Sequence, residues 1–197
     1  LPMIELNDDL LIAQGSRRKC FQHPDDLHKC IKISLKEEEC SATAHEAKYY
    51  RKLKRRRPNL DYVGLPKFYG YEDTNLGNGG VFELIRDEGT EELSGTLDKY
   101  RQAGEVAKDQ RLWEKSLAEF RSWMENHSVF ANFHHDNICA KRLADGSIRL
   151  IAIDGIGHHE FIPVSDYLPF MARRKLQRYL KRNHLDSVEN LLANPSR

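Results

Sequence analysis

The chain has 197 residues, enough for one substantial core or two small packed lobes, but too few for two large independent domains. Its 31 Lys and Arg residues are balanced by 30 Asp and Glu residues, and this net charge of +1 gives no reason to expect nucleic acid as a partner. Because no stretch reaches the roughly 18 consecutive apolar residues of a membrane-spanning helix, and the start lacks an export signal, we expect a soluble, cytoplasmic protein.

The first part of the chain predicts an antiparallel meander followed by a helix. Met3 is expected to be the natural start. Three short strands are expected, at residues 10–14, 19–22 and 29–33. Helix formers dominate residues 37–57, where apolar side chains recur at helical spacing, and Pro58 ends the helix.

Two more strands and a polar segment follow. A strand is expected over residues 64–71 and an apolar one over 81–85, with a glycine-rich turn at residues 75–80 between them. Residues 87–95 are polar, contain two glycines and suit a linker. We therefore expect an N-lobe at residues 3–86, made of five strands and one helix.

The remainder, residues 96–197, is expected to form a mainly helical C-lobe. Helices are predicted at residues 97–100 and 110–127, and residues 170–192 are expected to form a basic helical tail. Asp145-Gly146 is the strongest short turn signal in the sequence and closes a predicted hairpin with strands at residues 138–142 and 147–153. The fold class is therefore α+β, with helices and antiparallel strands.

Lys32 and Glu46 have the setting of a phosphate-binding pair. Lys32 lies between apolar neighbours in a predicted strand, where burial is costly unless an anion meets the charge. Glu46 lies in the following helix, beside its apolar stripe. In protein kinases a strand lysine contacts the ATP phosphates and a helix glutamate orients that lysine. Taken alone, each residue is more often ordinary surface charge, so the interpretation depends on other residues.

Asn137 and Asp154 flank the predicted hairpin, one before its first strand and one after its second. Hairpin geometry places them at the same end of the ribbon. Magnesium prefers one or two protein oxygens together with phosphates and waters, so an Asn/Asp pair is chemically sufficient. Protein kinases use such a pair to hold the metal, although each residue alone is an ordinary turn former.

Several segments, taken in order, have the character of a known family. They are residues 15–24, 30–33, 46–50, 65–70, 74–77, 81–85 and 153–157, followed by Ile162-Pro163. Together they resemble the PhoP regulatory network protein YrbL family of kinase-like proteins. The likeness runs from about Leu11 to the basic tail, and it is more specific than any single kinase motif.

The resemblance implies a protein-kinase-like two-lobed fold, with a small antiparallel-sheet N-lobe, a reduced C-lobe and ATP between them. Glu83 is then expected near the adenine. The implied cofactors are ATP and Mg²⁺. The nucleotide-binding residues that it implies are Gly15, Arg17, Lys32, Glu46 and Glu83, and the implied metal ligands are Asn137 and Asp154.

Asn132 departs from the kinase pattern. In kinases an aspartate five residues before the metal-binding asparagine accepts the substrate proton, whereas asparagine cannot act as a base. His134, His135 or Asp136 are candidate replacements, which makes Asn132, His134 and Asp136 the candidate catalytic residues. The alternative is a pseudokinase that binds nucleotide or a partner protein without turnover.

Two further departures from the kinase pattern concern the turn at Gly15, which would contact the ATP phosphates, and the acceptor of the phosphoryl group. The turn has only Gly15 of the usual glycine run, so we expect cationic side chains at residues 17–19 to supply charge there. The chain after Asp154 is too short for a long activation segment with a large helical lobe. We therefore expect the acceptor to be a small-molecule or glycan hydroxyl, such as a lipopolysaccharide core sugar, and not a folded protein.

A second alternative is a metal-dependent hydrolase built from two histidine-rich loops. The predicted hairpin brings residues 134–136 near His158, His159 and Glu160, and these side chains suit zinc or iron. Adjacent histidines point in opposite directions, however, and no His-x-Glu or His-Glu-x-x-His spacing is present. Two solvated polar loops are the simpler interpretation.

The basic tail and the cysteines carry weaker signals. The run of basic residues at 173–182 is typical of a solvated face, but it also suits peripheral contact with an anionic surface such as the inner membrane. The cysteines lack CxxC pairing, and reduced thiols are expected at Cys20, Cys30, Cys40 and Cys139. Cys20 and Cys30 face each other across a predicted hairpin, but the absence of an export signal argues against a disulfide.

Overall fold

The computed structural model describes residues 3–35, 42–157 and 169–194. In this part of the chain the fold is mixed α+β, with an antiparallel sheet and several helices. The chain divides into two compact units: unit 1 is Leu1–Tyr62 with Pro66–Ile85, and unit 2 is Val63–Leu65 with Arg86–Arg197. No helix among the described residues combines the length and the apolar character needed to cross a membrane.

Unit 1 is built on a five-stranded antiparallel sheet. Its strands are β1 (Leu11–Gln14), β2 (Arg18–His23), β3 (Asp26–Ser34), β4 (Phe68–Thr74) and β5 (Gly77–Glu83), in the spatial order β1-β2-β3-β5-β4. Helix α1 (Ala42–Arg56) follows β3 along the chain and packs against β3, β4 and β5. The predicted meander, and the five strands with one helix, are confirmed.

The two faces of this sheet differ in chemistry. One face carries an apolar core formed by Leu6, Phe21, Ile31, Ile33 and Val81. Side chains alternate between the faces of a strand, so Cys20, Cys30 and Lys32 lie on the opposite face. Helix α1 covers that second face, since its Glu46 contacts Lys32. The candidate phosphate-binding residues therefore lie between the sheet and α1.

The glycine-rich segment at residues 75–80 is only partly a turn, and the prediction there was wrong. Strand β5 begins at Gly77, so the turn is confined to Asn75 and Leu76. A Cβ atom on Gly79 would lie 2.3 Å from Cγ2 of Ile31. The glycine is therefore required by close packing between strands and not by chain reversal.

Unit 2 contains a two-stranded ribbon and helices. Its strands are β6 (Ile138–Arg142) and β7 (Ile148–Ala152), and its helices are α2 (Leu97–Gln102), α3 (Glu105–Lys108), α4 (Gln110–His127), α5 (Pro169–Arg182) and α6 (Val188–Ala193). The central helix, α4, packs against β7, α5 and α6. It buries Trp113, Leu117, Phe120 and Met124. The predicted hairpin and long amphipathic helix are confirmed.

The strand predicted over residues 64–71 begins later, because β4 starts at Phe68. Gly64 belongs to unit 2, where its carbonyl accepts a hydrogen bond from Ala152 N at 3.0 Å. A Cβ atom there would lie 2.4 Å from Cε3 of Trp123, so this position also needs glycine. Residues 64 and 65 therefore pack within unit 2 and do not extend β4.

The basic tail expected to be helical over residues 170–192 consists of two helices. Helix α5 ends at Arg182, and His184 has a left-handed φ of 58° that is incompatible with a continuous helix. The Ser187 side chain then accepts a hydrogen bond from Asn190 N and caps α6. Local backbone conformation and capping therefore divide the segment.

Gly79→Ala should destabilise the protein by about 1–3 kcal/mol, because the added methyl group overlaps Ile31 inside the sheet. Gly15→Ala is the matched control, since its Cβ would meet nothing closer than 3.9 Å, and it should change the stability by less than about 0.5 kcal/mol. Urea unfolding measures both. Equal midpoints for the two variants would contradict the close approach at Gly79.

Candidate functional site

Unit 1 holds a buried group of three charged side chains, Arg18, Lys32 and Glu46, which we call the charged triad. Oε2 of Glu46 lies 2.7 Å from Nη1 of Arg18 and 3.6 Å from Nζ of Lys32. A second guanidinium nitrogen of Arg18 lies 3.3 Å from Oε1 of Glu46, so the contact is bidentate. The exposed fractions of the side chains are 11%, 10% and 3%, which removes these charges from bulk water.

The sheet register explains how the charged triad assembles. Arg18 begins β2 and pairs with Ser34, while Lys32 of β3 lies opposite Cys20, so both cations are on the face that α1 covers. Nζ of Lys32 also lies 4.5 Å from the centre of the Phe82 ring, a cation–π contact. The sequence indicated Lys32 and Glu46 but missed Arg18 as a direct partner of Glu46. The signal that could have found it is the alternation of side chains along β2. Arg18 and Cys20 are two residues apart and share a face of the sheet, and Cys20 lies opposite Lys32.

The other predicted nucleotide-binding residues of unit 1 have local contacts. Gly15 lies in the exposed turn between β1 and β2, where its N–H donates to the Arg18 carbonyl at 2.9 Å, and Arg17 is exposed. Glu83 ends β5, and its Oε2 accepts a hydrogen bond from Lys67 N at 3.1 Å. A part for these three residues in nucleotide binding stays a prediction.

Asn137 and Asp154 lie at the same end of the β6–β7 ribbon. Asn137 closes a short 3-10 turn before β6, and Asp154 comes shortly after β7. The Asn137 carbonyl accepts a hydrogen bond from Ile153 N at 2.8 Å, which fixes this register. Both residues are half-buried. A carboxylate and an amide oxygen are hard donors, and such a donor set fits Mg²⁺.

Asn132 packs beside the residue that follows Asp154. A Cβ atom on Gly155 would lie 2.5 Å from Cβ of Asn132, and Gly155 has a φ of 64°. Glycine after the aspartate therefore permits both the turn and the close approach. The Asn132 side-chain oxygen accepts a hydrogen bond from His134 N at 3.3 Å, while the His134 and Asp136 side chains are exposed.

His135 has the environment of a structural residue. It is 1% exposed, and its Nε2 lies 2.8 Å from the Asn183 carbonyl, to which the neutral ring donates. Burial lowers the pKa of His135 and favours that neutral form. Among the described residues no cluster of three or more possible metal ligands occurs. The other half of the alternative metal centre, His158, His159 and Glu160, lies outside the described residues.

Helix α5 presents basic and apolar side chains to solvent. Its exposed basic residues are Arg173, Arg174, Lys175, Arg178, Lys181 and Arg182. Phe170 and Met171 are 64% and 52% exposed. The Arg174 guanidinium lies 4.4 Å from the centre of the Phe170 ring. This combination of exposed cations and exposed apolar side chains is typical of helices that lie on anionic interfaces.

Comparison with known proteins places the sequence in a family. Residues 4–185 match the sequence profile of the family described as PhoP regulatory network protein YrbL. The proteins named "Uncharacterized protein YrbL" from Escherichia coli (strain K12) and from Shigella flexneri are each 28% identical over 184 residues. The alignments cover 91% of this chain and 86% of each relative, so the likeness extends through both units.

Glu46→Gln should destabilise the protein more than Lys32→Met, because it breaks both ion pairs of the charged triad, whereas Lys32→Met leaves the shorter contact with Arg18. Removing one partner of a buried pair costs about 3–5 kcal/mol. The loss for Lys32→Met should be smaller than for Glu46→Gln, because Glu46 keeps its bidentate contact with Arg18. Urea unfolding at neutral pH measures both. An equal or larger loss for Lys32→Met would contradict the central position of Glu46.

Proposed function

The chain belongs to the PhoP regulatory network protein YrbL family, and from this premise we propose that it is a kinase-like protein that binds ATP with Mg²⁺. It transfers the γ-phosphoryl group to a hydroxyl of a small molecule or glycan. The observation that carries the proposal is the buried contact between Lys32 of β3 and Glu46 of α1.

The charged triad supports phosphate binding in unit 1. Kinases hold the ATP phosphates with a strand lysine that a helix glutamate orients, and here the two residues lie 3.6 Å apart on the strand and helix that follow one another. Arg18 adds a planar, bidentate donor, a geometry that suits phosphate as well as carboxylate. The kinase-like fold is part of the proposal, and the five-stranded antiparallel sheet with α1 after β3 supports it.

The end of the β6–β7 ribbon supports metal binding in unit 2. Asn137 and Asp154 would be the protein ligands of Mg²⁺, and the metal would neutralise charge on the phosphates when bound. The close packing of Gly155 on Asn132 keeps the backbone after Asp154 in one conformation. This rigidity favours a preformed pair of oxygen donors.

The short segment after Asp154 favours a small phosphoryl acceptor over a folded protein substrate. Only residues 155–168 separate it from α5. Protein kinases use a long activation segment after the metal-binding aspartate to control and bind protein substrates. A hydroxyl of a small molecule or glycan needs no such platform, and a lipopolysaccharide core sugar is one acceptor of this class.

Nucleotide binding without turnover is the second candidate function, and Asn132 favours it. Asn132 occupies the position from which a kinase aspartate accepts the substrate proton, and an amide has no basic lone pair for that proton. The exposed His134 and Asp136 are the neighbouring groups able to take a proton. In the absence of phosphoryl transfer, the protein would be a nucleotide-responsive regulator.

ATP with Mg²⁺ should raise the melting temperature by about 5–10 °C when ATP is present at 100 times its dissociation constant. Lys32→Met and Asp154→Asn should reduce this shift strongly, since they remove a phosphate contact and a metal ligand. Lys29→Met is the matched control, because Lys29 lies on β3 but pairs with Asp26 at the surface, and its shift should equal that of the wild type. Equal shifts in all four proteins would contradict the assignment.

Turnover separates the two candidate functions. Release of ADP, or transfer of labelled γ-phosphate to a glycan or small-molecule acceptor, would support the kinase. Binding of ATP with Mg²⁺ without ADP release across an acceptor panel would support the nucleotide-responsive regulator. No binding in the thermal assay would overturn both.

We further propose that α5 contacts an anionic membrane surface. Arg174→Gln with Arg178→Gln should weaken binding to phosphatidylglycerol vesicles by about 2 kcal/mol, since each basic residue near such a surface contributes about 1 kcal/mol. Arg111→Gln with Lys115→Gln removes the same charge from exposed positions of α4 and is the control. Vesicle co-sedimentation measures both. Equal loss in the two double variants, or equal binding to phosphatidylcholine vesicles, would contradict a contact specific to α5.

A further inference from the structure

Helix α5 packs directly against the loop that carries the candidate catalytic residues. The centre of the Phe133 ring lies 5.4 Å from the centre of the Tyr179 ring. Nε2 of His135 lies 2.8 Å from the carbonyl of Asn183, one residue past the end of α5. All four residues belong to unit 2. One side of α5 therefore lies along the loop that leads into β6.

Lys175 of α5 brings a positive charge to this part of unit 2. Its Nζ lies 5.5 Å from the centre of the Phe130 ring. Phe130 is 3% exposed, and its carbonyl accepts a hydrogen bond from Gly157 N at 2.7 Å. Gly157 comes three residues after Asp154. The exposed Lys175 side chain therefore lies where the segments before β6 and after β7 meet.

Two further cations share this side of α5. Helical residues that are three, four or seven positions apart lie on one face, so Arg178 and Arg182 align with Lys175. Both arginines are exposed. Burial raises the pKa of the Tyr179 hydroxyl, and the charge of Arg182 is one of the influences that oppose the rise, which agrees with this alignment. We call Lys175, Arg178 and Arg182 the cationic stripe.

The charges of the cationic stripe are poorly balanced within unit 2. Arg173, on another side of α5, lies 3.0 Å from Oε2 of Glu125 and is balanced by it. Within the part of the chain that the structure describes, neither Arg178 nor Arg182 forms an ion pair with a carboxylate. Nε of Arg178 instead donates to the backbone carbonyl of Arg174 at 3.4 Å. Like charges four residues apart on a helix repel each other, so an anionic ligand would stabilise this side of α5.

We propose that the cationic stripe binds an anionic group of the phosphoryl acceptor, so that the acceptor is a glycan that already carries a phosphate or a carboxylate. This inference rests on the proposed function, because it assigns the acceptor side of the same site. The guanidinium groups can each donate two parallel hydrogen bonds to such a group, and the Lys175 ammonium adds a point charge. A neutral sugar offers no counter-charge. The cationic stripe therefore selects the acceptor by charge.

The position of the cationic stripe suits an acceptor that is held at one end and reacts at the other. His134 and Asp136, the neighbouring groups able to take a proton, are exposed on the loop that α5 contacts. A glycan held on α5 by its anionic group would keep a hydroxyl free to reach that loop. Binding and proton transfer would then use different residues of unit 2.

Calorimetric titration of the full chain tests the selection by charge, with glucose-6-phosphate as the anionic probe and glucose as its neutral counterpart. Glucose-6-phosphate should bind, and more weakly as NaCl is added, whereas glucose should give no measurable binding. Lys175→Gln should weaken the binding about threefold, and Lys175→Gln with Arg182→Gln about tenfold, as expected for exposed charge pairs. Lys181→Gln is the matched control, because it removes the same charge from another side of α5, and its affinity should equal that of the wild type.

Three results would overturn the acceptor site: no binding of glucose-6-phosphate, equal binding of glucose, or equal losses of affinity in Lys175→Gln and Lys181→Gln. The titration is repeated with ATP and Mg²⁺ present. An affinity for glucose-6-phosphate that disappears there would place the probe in the nucleotide site and also overturn the proposal. A missing thermal shift with ATP overturns the proposed function and the acceptor assignment with it, whereas anion binding by the cationic stripe is decided by the titrations alone.

Discussion

The burial of the Glu46 carboxylate is the constraint on which the arrangement of unit 1 depends. A carboxylate with 3% exposure is costly unless cations meet it, and Arg18 and Lys32 do so at 2.7 and 3.6 Å. The three residues come from β2, β3 and α1. One interaction therefore fixes the strand register on that face and the position of the helix over it. Under the proposed function, these two cations would contact the phosphate groups of the nucleotide.

The remaining residues of that face follow from this constraint. Cys20 and Cys30 lie on the same face as Lys32 because side chains alternate along a strand. A hydrogen bond from Cys30, helped by the charges of Lys32 and Arg18, lowers the pKa of Cys20 to about 7 against the effect of burial. Phe82 offers its ring to the Lys32 ammonium. On the opposite face the apolar core needs close contact between strands, and Gly79 supplies it. The charged triad thus lies on one face, and the close contact of Gly79 with Ile31 lies on the other.

In unit 2 the corresponding constraint is a close backbone approach. Gly155 packs on Asn132, and the Asn137 carbonyl accepts a hydrogen bond from Ile153 N, so the segments before β6 and after β7 are held together. This arrangement favours a fixed pair of oxygen donors in Asn137 and Asp154. Under the proposed function, the amide of Asn132 would stand where a kinase has its base. ATP binding by this protein would therefore not by itself imply phosphoryl transfer.

The sequence by itself determined the α+β class, the meander, α1, α4 and the hairpin, because each depends on local periodicity and turn chemistry. It also indicated that Asn137 and Asp154 lie at the same end of the β6–β7 ribbon, because a short hairpin brings the start of its first strand to the end of its second. Only the tertiary structure decided that Arg18 contacts Glu46, that Gly79 packs on Ile31, and that His135 is a buried donor to Asn183. The first pair is separated by 28 positions along the chain and each of the other two by 48, so no local sequence pattern reports these contacts.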